Sequence, residues 1–163
     1  MRVFDVTGGG ITLANQAVTL VFINPPAAPN VNIRVLRFWI GQSANATSAQ
    51  QRVQIVSQVT AFPTLTAATP RSTNLADPNA SVITGGTAGA AGTAGINASA
   101  EGAGTKTVRK EYAFNVLNGW EWVPTIKEPV EFPAGLASGL GMFLPVAPAT
   151  LTNWSFGITF EEY

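Results

Sequence analysis

The sequence contains no cysteine and no histidine, and charged residues make up only 11 % of its 163 residues. Without cysteine there are no disulfides, thiolate nucleophiles or zinc–sulfur sites, and without histidine the commonest general base and metal ligand is missing. No pair of carboxylates is spaced for acid–base work. We therefore expect a protein that is not an enzyme, with no catalytic residues, no cofactor and no metal site.

The sequence also has no excess of positive or negative charge and no long apolar run. Nine basic residues balance nine acidic ones, so nothing indicates a nucleic-acid partner or an anionic membrane. No apolar run approaches the roughly 20 residues that span a bilayer, and the N-terminus does not resemble a signal peptide. Residues 102–107 (GAGTKT) lack the glycine before lysine that a phosphate loop requires, so nucleotide binding is disfavoured. We also expect no small-molecule substrate. A sparsely charged, neutral chain tends to associate with neighbours.

The sequence is rich in turn residues, and its apolar and polar residues alternate with a period of two. Both features indicate an all-β fold. Sixteen glycines and eleven prolines separate short apolar stretches. The clearest alternation is at the C-terminus, where Trp154, Phe156, Ile158 and Phe160 face one way. Strands are predicted at residues 18–24, 32–42 with one bulge, 52–62, 107–116, 120–123, 126–132, 140–146 and 154–163. The strand at 52–62 should be half-buried, and 107–116 should form a hairpin with 120–123 around Asn118–Gly119.

About eight strands at this spacing predict a two-sheet antiparallel sandwich, jelly-roll-like in its connections, although another sandwich topology fits the pattern nearly as well. We expect one domain over residues 1–163. Within it, residues 84–106 hold seven glycines and seven alanines in 23 positions. Such a tract buries little apolar area, which predicts a long Gly/Ala-rich loop that becomes ordered only against a neighbouring subunit.

Two groups of residues are candidates for contacts with a neighbouring protein. The first lies in the Gly/Ala-rich tract and comprises Gly89, Gly92, Gly95 and Ile96, where small side chains permit close approach. The second is aromatic and comprises Trp39, Trp120 and Trp122, which could serve in an interface, stack on sugars or pack in the core. On a strand, Glu121 points away from both tryptophans beside it, so a sugar-cleaving site there is disfavoured.

Four stretches have distinctive amino-acid sequences: residues 43–55 (SANATSAQQRVQI), 59–66 (VTAFPTLT), 85–104 (GGTAGAAGTAGINASAEGAG) and 114–124 (FNVLNGWEWVP). They resemble a family of small virion proteins of tailed bacteriophages and viral metagenomes, and the likeness covers nearly the whole chain. Small all-β phage proteins of this length are often head decoration, or cement, proteins, which commonly fold as jelly rolls. That class has no catalytic residues to carry over.

The resemblance implies a structural protein on the capsid exterior of the virion, made in the host cytoplasm, that decorates and stabilises the capsid. Its partners would be the major capsid protein and further copies of itself, with a trimer favoured. The alternative function is a tail-fibre or surface binding module that recognises host glycans through exposed tryptophans. An enzymatic role as a glycan hydrolase would rest on Glu121 alone.

Overall fold

Strands arranged in two sheets make up the regular structure of the protein. The computed structural model describes residues 2–26, 31–44, 47–87, 90–132, 135 and 137–163, and it forms no helix within them. Sheet one comprises β1 (Arg2–Ile11), β3 (Ile33–Gln42), β6 (Arg71–Ser72), β10 (Trp120–Trp122), β11 (Val130–Phe132) and β13 (Trp154–Glu162). Sheet two comprises β2 (Val18–Ile23), β4 (Gln50–Val59), β5 (Thr64–Ala67), β7 (Thr84–Gly85), β8 (Thr93–Ala100), β9 (Thr105–Asn115) and β12 (Gly139–Leu144).

The order of the strands brings distant parts of the chain together. Sheet one runs β10-β3-β13-β1-β6, with β11 also paired to β3, and sheet two runs β5-β8-β2-β12-β4-β9, with β7 paired to β8. Every pairing is antiparallel except the short parallel pair of β7 and β8. Among the described residues no helix is long and apolar enough to cross a membrane. The predicted all-β sandwich of two antiparallel sheets is confirmed.

Alternating side chains from the two sheets form one buried apolar cluster. From sheet one, Trp154, Phe156, Ile158 and Phe160 of β13 are completely buried. From sheet two, the cluster includes Val53, Ile55, Leu20, Met142 and Leu144. Burial of one face fixes the register of each strand, because a slip by one residue would expose every inward side chain. The bulge predicted in β3 is present, since Thr159 pairs with Arg37 whereas Phe160 pairs with Val35.

The predicted hairpin of residues 107–116 with 120–123 is wrong. The turn exists, with Gly119 at φ +67°, but β9 pairs with β4 in sheet two and β10 pairs with β3 in sheet one. The chain therefore crosses from one sheet to the other at this turn. Trp120 turns inward and contacts Tyr112 across the sandwich, with 5.0 Å between the ring centres, which favours the crossing over local pairing.

The prediction that residues 84–106 form one long loop is also wrong. Residues 93–100 are strand β8, which lies between β5 and β2 in sheet two. Here the lack of side-chain volume aids order, because a Cβ at Gly95 would come within 2.5 Å of the Leu65 Cβ and 2.8 Å of the Gly86 carbonyl oxygen. Pairing on both sides orders this strand within a single chain.

Strand β4 is buried on both faces, so the prediction of a half-buried strand is wrong as well. Its polar residues Gln54 and Gln58 are buried at 9 % and 0 % exposure. The Gln58 amide donates hydrogen bonds to the carbonyl oxygens of Ala61 (2.9 Å) and Glu101 (3.2 Å). Buried polar groups require such partners, and the connection between β8 and β9 provides one of them.

Candidate functional site

Trp120 and Trp122 point into the sandwich, while Glu121 between them points outward, as the alternation of a strand predicts. Both tryptophans pack against the buried cluster. The ring of Trp122 stacks on Phe38, with 6.0 Å between the centres and 10° between the planes. Both side chains already have partners within the fold, and their participation in contacts with another protein remains a prediction.

Trp39 is the tryptophan on the outer face of sheet one. Its neighbours in β3, Phe38 and Ile40, are buried, and Trp39 is half-buried. It lies opposite Gly157 of β13 on one side and Glu121 of β10 on the other. A Cβ at Gly157 would stand 2.7 Å from Cζ2 and 2.8 Å from Cε2 of the indole. The indole therefore lies directly over the glycine, with no room for any other residue there.

A ladder of polar side chains crosses the same outer face beside Trp39. The Arg37 guanidinium donates a hydrogen bond from Nε to the Thr159 hydroxyl (2.9 Å) and another from Nη1 to Glu121 Oε1 (3.4 Å). The Thr159 hydroxyl donates in turn to Asp5 Oδ1 (2.5 Å). Four neighbouring strands are thus joined across one face, and the charge of Arg37 is balanced by Glu121.

A second group of charges surrounds Arg34 on the outer face. Its guanidinium pairs with Glu131 and Glu161, at 2.8 Å each, and lies 4.9 Å from the ring centre of Tyr163. The hydrogen bond to Glu131 is the main reason why the pKa of Arg34 is raised. Glu161 is only 4 % exposed, so this cation offsets a carboxylate that would be costly to bury alone.

The predicted contact residues of the Gly/Ala-rich tract lie in the other sheet. Gly92, at φ +70°, forms the turn before β8 and donates its N–H to the Pro25 carbonyl oxygen (2.8 Å). Gly95 and Ile96 lie within β8, opposite Phe22 and Val21 of β2. Gly89 lies outside the described residues. The structure therefore does not bring the six described contact residues to one surface, and a contact role for each of the seven remains a prediction.

Sequence reasoning missed the most exposed apolar side chains. Ile126 is fully exposed, Val123 is 57 % exposed, and Leu75, in the loop after β6, is also fully exposed. Leu75 and Ile126 belong to loops at opposite edges of sheet one, because β6 and β10 are the two ends of its strand order. The signal in the sequence is an isolated aliphatic residue between turn residues.

The described residues hold little that indicates chemistry. They contain no group of three or more Asp or Glu side chains placed to hold a metal ion. The pKa of Glu111 lies below its ordinary value, because Gln54 and then Arg52 donate hydrogen bonds to its carboxylate. This cluster joins β4 to β9 on the surface and explains the shift without a catalytic role.

Comparison with known proteins adds no relative to this description. No protein-family model matches the sequence, no curated protein matches it, and no solved structure matches the fold.

Proposed function

We propose that this chain is a structural virion protein that decorates and stabilises a bacteriophage capsid. The proposal is supported by the four stretches that resemble tailed-phage proteins and by the balance of nine basic and nine acidic residues. The observation that carries it is the exposure of apolar side chains in residues 123–126, where Ile126 is fully exposed. A side chain of this kind gains most when a partner covers it.

The segment 123–126 borders a groove on the outer face of sheet one. The groove encloses about 420 Å³ and is lined by Leu36, Val123 and Pro124, with Arg34 and Glu131 at its side. An apolar centre with an arginine beside it is a common composition of protein interfaces. The proposed occupant is the major capsid protein, which the cement role requires as its partner.

We also infer that the sandwich is a jelly roll. Sheet one contains the order β10-β3-β13-β1, and sheet two contains β2-β12-β4-β9. Along the chain these eight strands alternate between the sheets, except for the step from β4 to β9. This order supports two interlocked Greek keys. An experimental structure in which β9 and β10 pair with each other would contradict the inference.

We further propose that the protein acts as a homo-oligomer, with a trimer favoured. Many modest contacts acting together can stabilise a shell that no single contact would hold. Sedimentation of the purified chain, alone and with undecorated capsids, tests this proposal. A trimer in either sample supports it, whereas a chain that stays monomeric and does not sediment with capsids contradicts it.

Capsids that lack this protein provide the direct test of function. They should lose DNA at a lower temperature than decorated capsids, and adding the purified protein should restore resistance. Equal heat resistance with and without the protein would contradict the capsid-stabilising role.

A charge placed at Ile126 should separate capsid binding from folding. Ile126→Asp should abolish binding to undecorated capsids, because it puts a carboxylate at the centre of the apolar contact, while Ile126→Leu should preserve binding. The matched control is Leu75→Asp, which adds the same charge at an equally exposed aliphatic position on the opposite edge of sheet one. If Ile126→Asp binds as the unmodified chain does, segment 123–126 is not the contact.

A further inference from the structure

We propose that the outer face of sheet one binds carbohydrate, with the indole of Trp39 stacking on a neutral pyranose ring. The site consists of Trp39, the shallow trough beside it and the polar side chains at its rim. It is a binding function separate from capsid stabilisation, and it rests on the placement of Trp39 rather than on Trp120 or Trp122.

The first observation is that the Trp39 indole is packed closely against the outer face of the sheet at Gly157. The indole packs against Gly157, whose missing side chain leaves the space for it. Trp39 is half-buried and lines the trough beside it, and a side chain packed in this way loses little conformational entropy when a ligand arrives. The CH-rich face of a pyranose can pack on such a surface, as other flat ligands pack on aromatic rings.

The second observation is a trough beside the indole with almost no side chains in it. Gly41 follows Trp39 by two residues on the same face of β3, and it lies opposite Ser155 of β13. A Cβ at Gly41 would meet no atom within 4 Å. Gly119 closes the trough on the other side. The open space is about 480 Å³, which is large enough for one sugar ring.

The third observation is the set of hydrogen-bonding groups at the rim. Glu121 and Arg37 are 53 % and 46 % exposed, and the ion pair between them is loose at 3.4 Å. Asn118 is exposed at the turn, and Ser155 supplies a hydroxyl. A carboxylate accepts hydrogen bonds from sugar hydroxyls, while an amide both donates and accepts. Together these groups match a ligand rich in hydroxyls.

The local charge favours a neutral sugar over a nucleotide or a cation. Arg37 is paired with Glu121 and with the Thr159 hydroxyl, so the described residues leave no free cluster of cations near Trp39 to attract a phosphate. Glu121 is likewise paired, and a single tryptophan does not enclose a quaternary ammonium as an aromatic cage does. A nucleobase or choline would gain only the stacking contact.

Titration of the purified full-length chain with simple sugars tests the site. The probes are methyl β-glucoside, methyl β-galactoside and N-acetylglucosamine, each followed through the NMR signal of the Trp39 indole N–H. We expect saturable binding of at least one of them. Adenosine monophosphate and choline serve as comparison probes and should bind more weakly than the best sugar.

Two variants locate the binding. Trp39→Ala removes the stacking surface, and we expect the affinity to fall at least about tenfold. Gly41→Leu fills the trough without meeting any atom near its Cβ, so it should lower the affinity to the same extent and leave the fold unchanged. Sugar binding to these two variants is measured by calorimetry. The control Thr64→Leu places the same side chain at an exposed position of sheet two and should bind sugar normally.

The alternative explanation of Trp39 is that it only covers Gly157 and stabilises the sheet. That explanation predicts no saturable sugar binding, and it predicts that Trp39→Ala is destabilised whereas Gly41→Leu has no consequence. The proposal is overturned if no sugar probe binds, if binding survives Gly41→Leu, or if adenosine monophosphate or choline binds more tightly than every sugar. None of these results depends on capsids, so the capsid proposal is tested independently of the sugar site.

Discussion

Glycine at position 104 is required by the backbone that passes beside it. A Cβ there would lie 1.9 Å from the Thr60 carbonyl oxygen and 2.6 Å from that of Val59, and backbone atoms cannot move aside as a flexible side chain can. We expect Gly104→Ala to lower the free energy of unfolding by about 2–3 kcal/mol. Urea denaturation followed by tryptophan fluorescence measures the change.

Gly41→Ala is the matched control for this prediction. The added methyl group at position 41 meets no atom within 4 Å, and the substitution reduces the freedom of the unfolded chain. Its stability should therefore stay within about 1 kcal/mol of the unmodified protein. Equal losses in the two variants would show that the general preference of the backbone for glycine, rather than the close approach at Gly104, sets the effect.

Glu162 connects the C-terminal strand to the loop before β7. Its carboxylate is 2 % exposed, pairs with Arg2 (2.8 Å), and accepts hydrogen bonds from the Ser81 hydroxyl (2.5 Å) and the Val82 N–H (2.9 Å). Glu162→Gln should lower the free energy of unfolding by about 2–3 kcal/mol, because a charged acceptor with three partners is lost.

Glu131→Gln makes the same chemical change at an exposed ion pair, where both side chains are more than a third exposed. This variant should lose less than about 1 kcal/mol. Thermal unfolding of both variants under the same conditions distinguishes the two sites. If Glu131→Gln proves the more damaging, the burial of Glu162 does not govern its contribution.

At the scale of elements, β8 shows that composition alone does not decide order. The strand pairs with β2 through Val21 and Ile96, and with β5 through Thr66 and the same Ile96. The backbone hydrogen bonds come from neighbours in the sheet, and small side chains let those neighbours approach. An isolated stretch of the same composition would have no such partners.

Hydrogen exchange can show whether β8 is ordered without a neighbouring subunit. In dilute solution the amides of Thr93–Ala100 should exchange at least about a hundredfold more slowly than those of the loop at Leu75, because their opening requires the sheet to separate. Slow exchange only at high protein concentration, or only on capsids, would contradict this and would support ordering by a second copy.

At the scale of the whole molecule, the sequence predicted elements better than it predicted their pairing. Period-two alternation identified β13 because one of its faces is entirely buried. The turn at Asn118–Gly119 was also evident, but a turn does not specify which strands pair beyond it. The contact between Tyr112 and Trp120 lies across the two sheets, and nothing local encodes it. Strand β1 carries three consecutive glycines, which conceal its apolar alternation.

The outer-face site was equally difficult to predict, for two reasons. The bulge in β3 lets both Val35 and Phe38 point inward, so counting residues from Val35 does not give the orientation of Trp39. The role of Gly157 depends on its position opposite Trp39 in β13, which is fixed only by the register of two strands far apart in the chain. The exposure of Ile126 was missed as well, because hydrophobicity alone predicts burial, and its isolation between turn residues was the one contrary signal.

The two ends of the chain meet in sheet one, and this contact should control folding as a whole. Strand β13 lies between β1 and β3 and contributes Trp154, Phe156 and Phe160, all completely buried. A chain that ends at Asn153 leaves β1 paired only with the two-residue strand β6 and opens the core. We expect it to show no cooperative unfolding transition and no dispersed NMR spectrum, whereas removal of Tyr163 alone, 45 % exposed, should leave a cooperative fold.

A peptide of residues 154–163, added in trans, should bind the shortened chain and restore the spectrum, because it supplies both missing sets of strand hydrogen bonds and the buried aromatic face. The peptide with Phe156→Asp is the control, since a charge on the inward face cannot enter the core. A shortened chain that unfolds cooperatively by itself would contradict the central role of β13. Rescue by both peptides would show that backbone pairing alone suffices, and rescue by neither would show that β13 must be present while the rest of the chain folds.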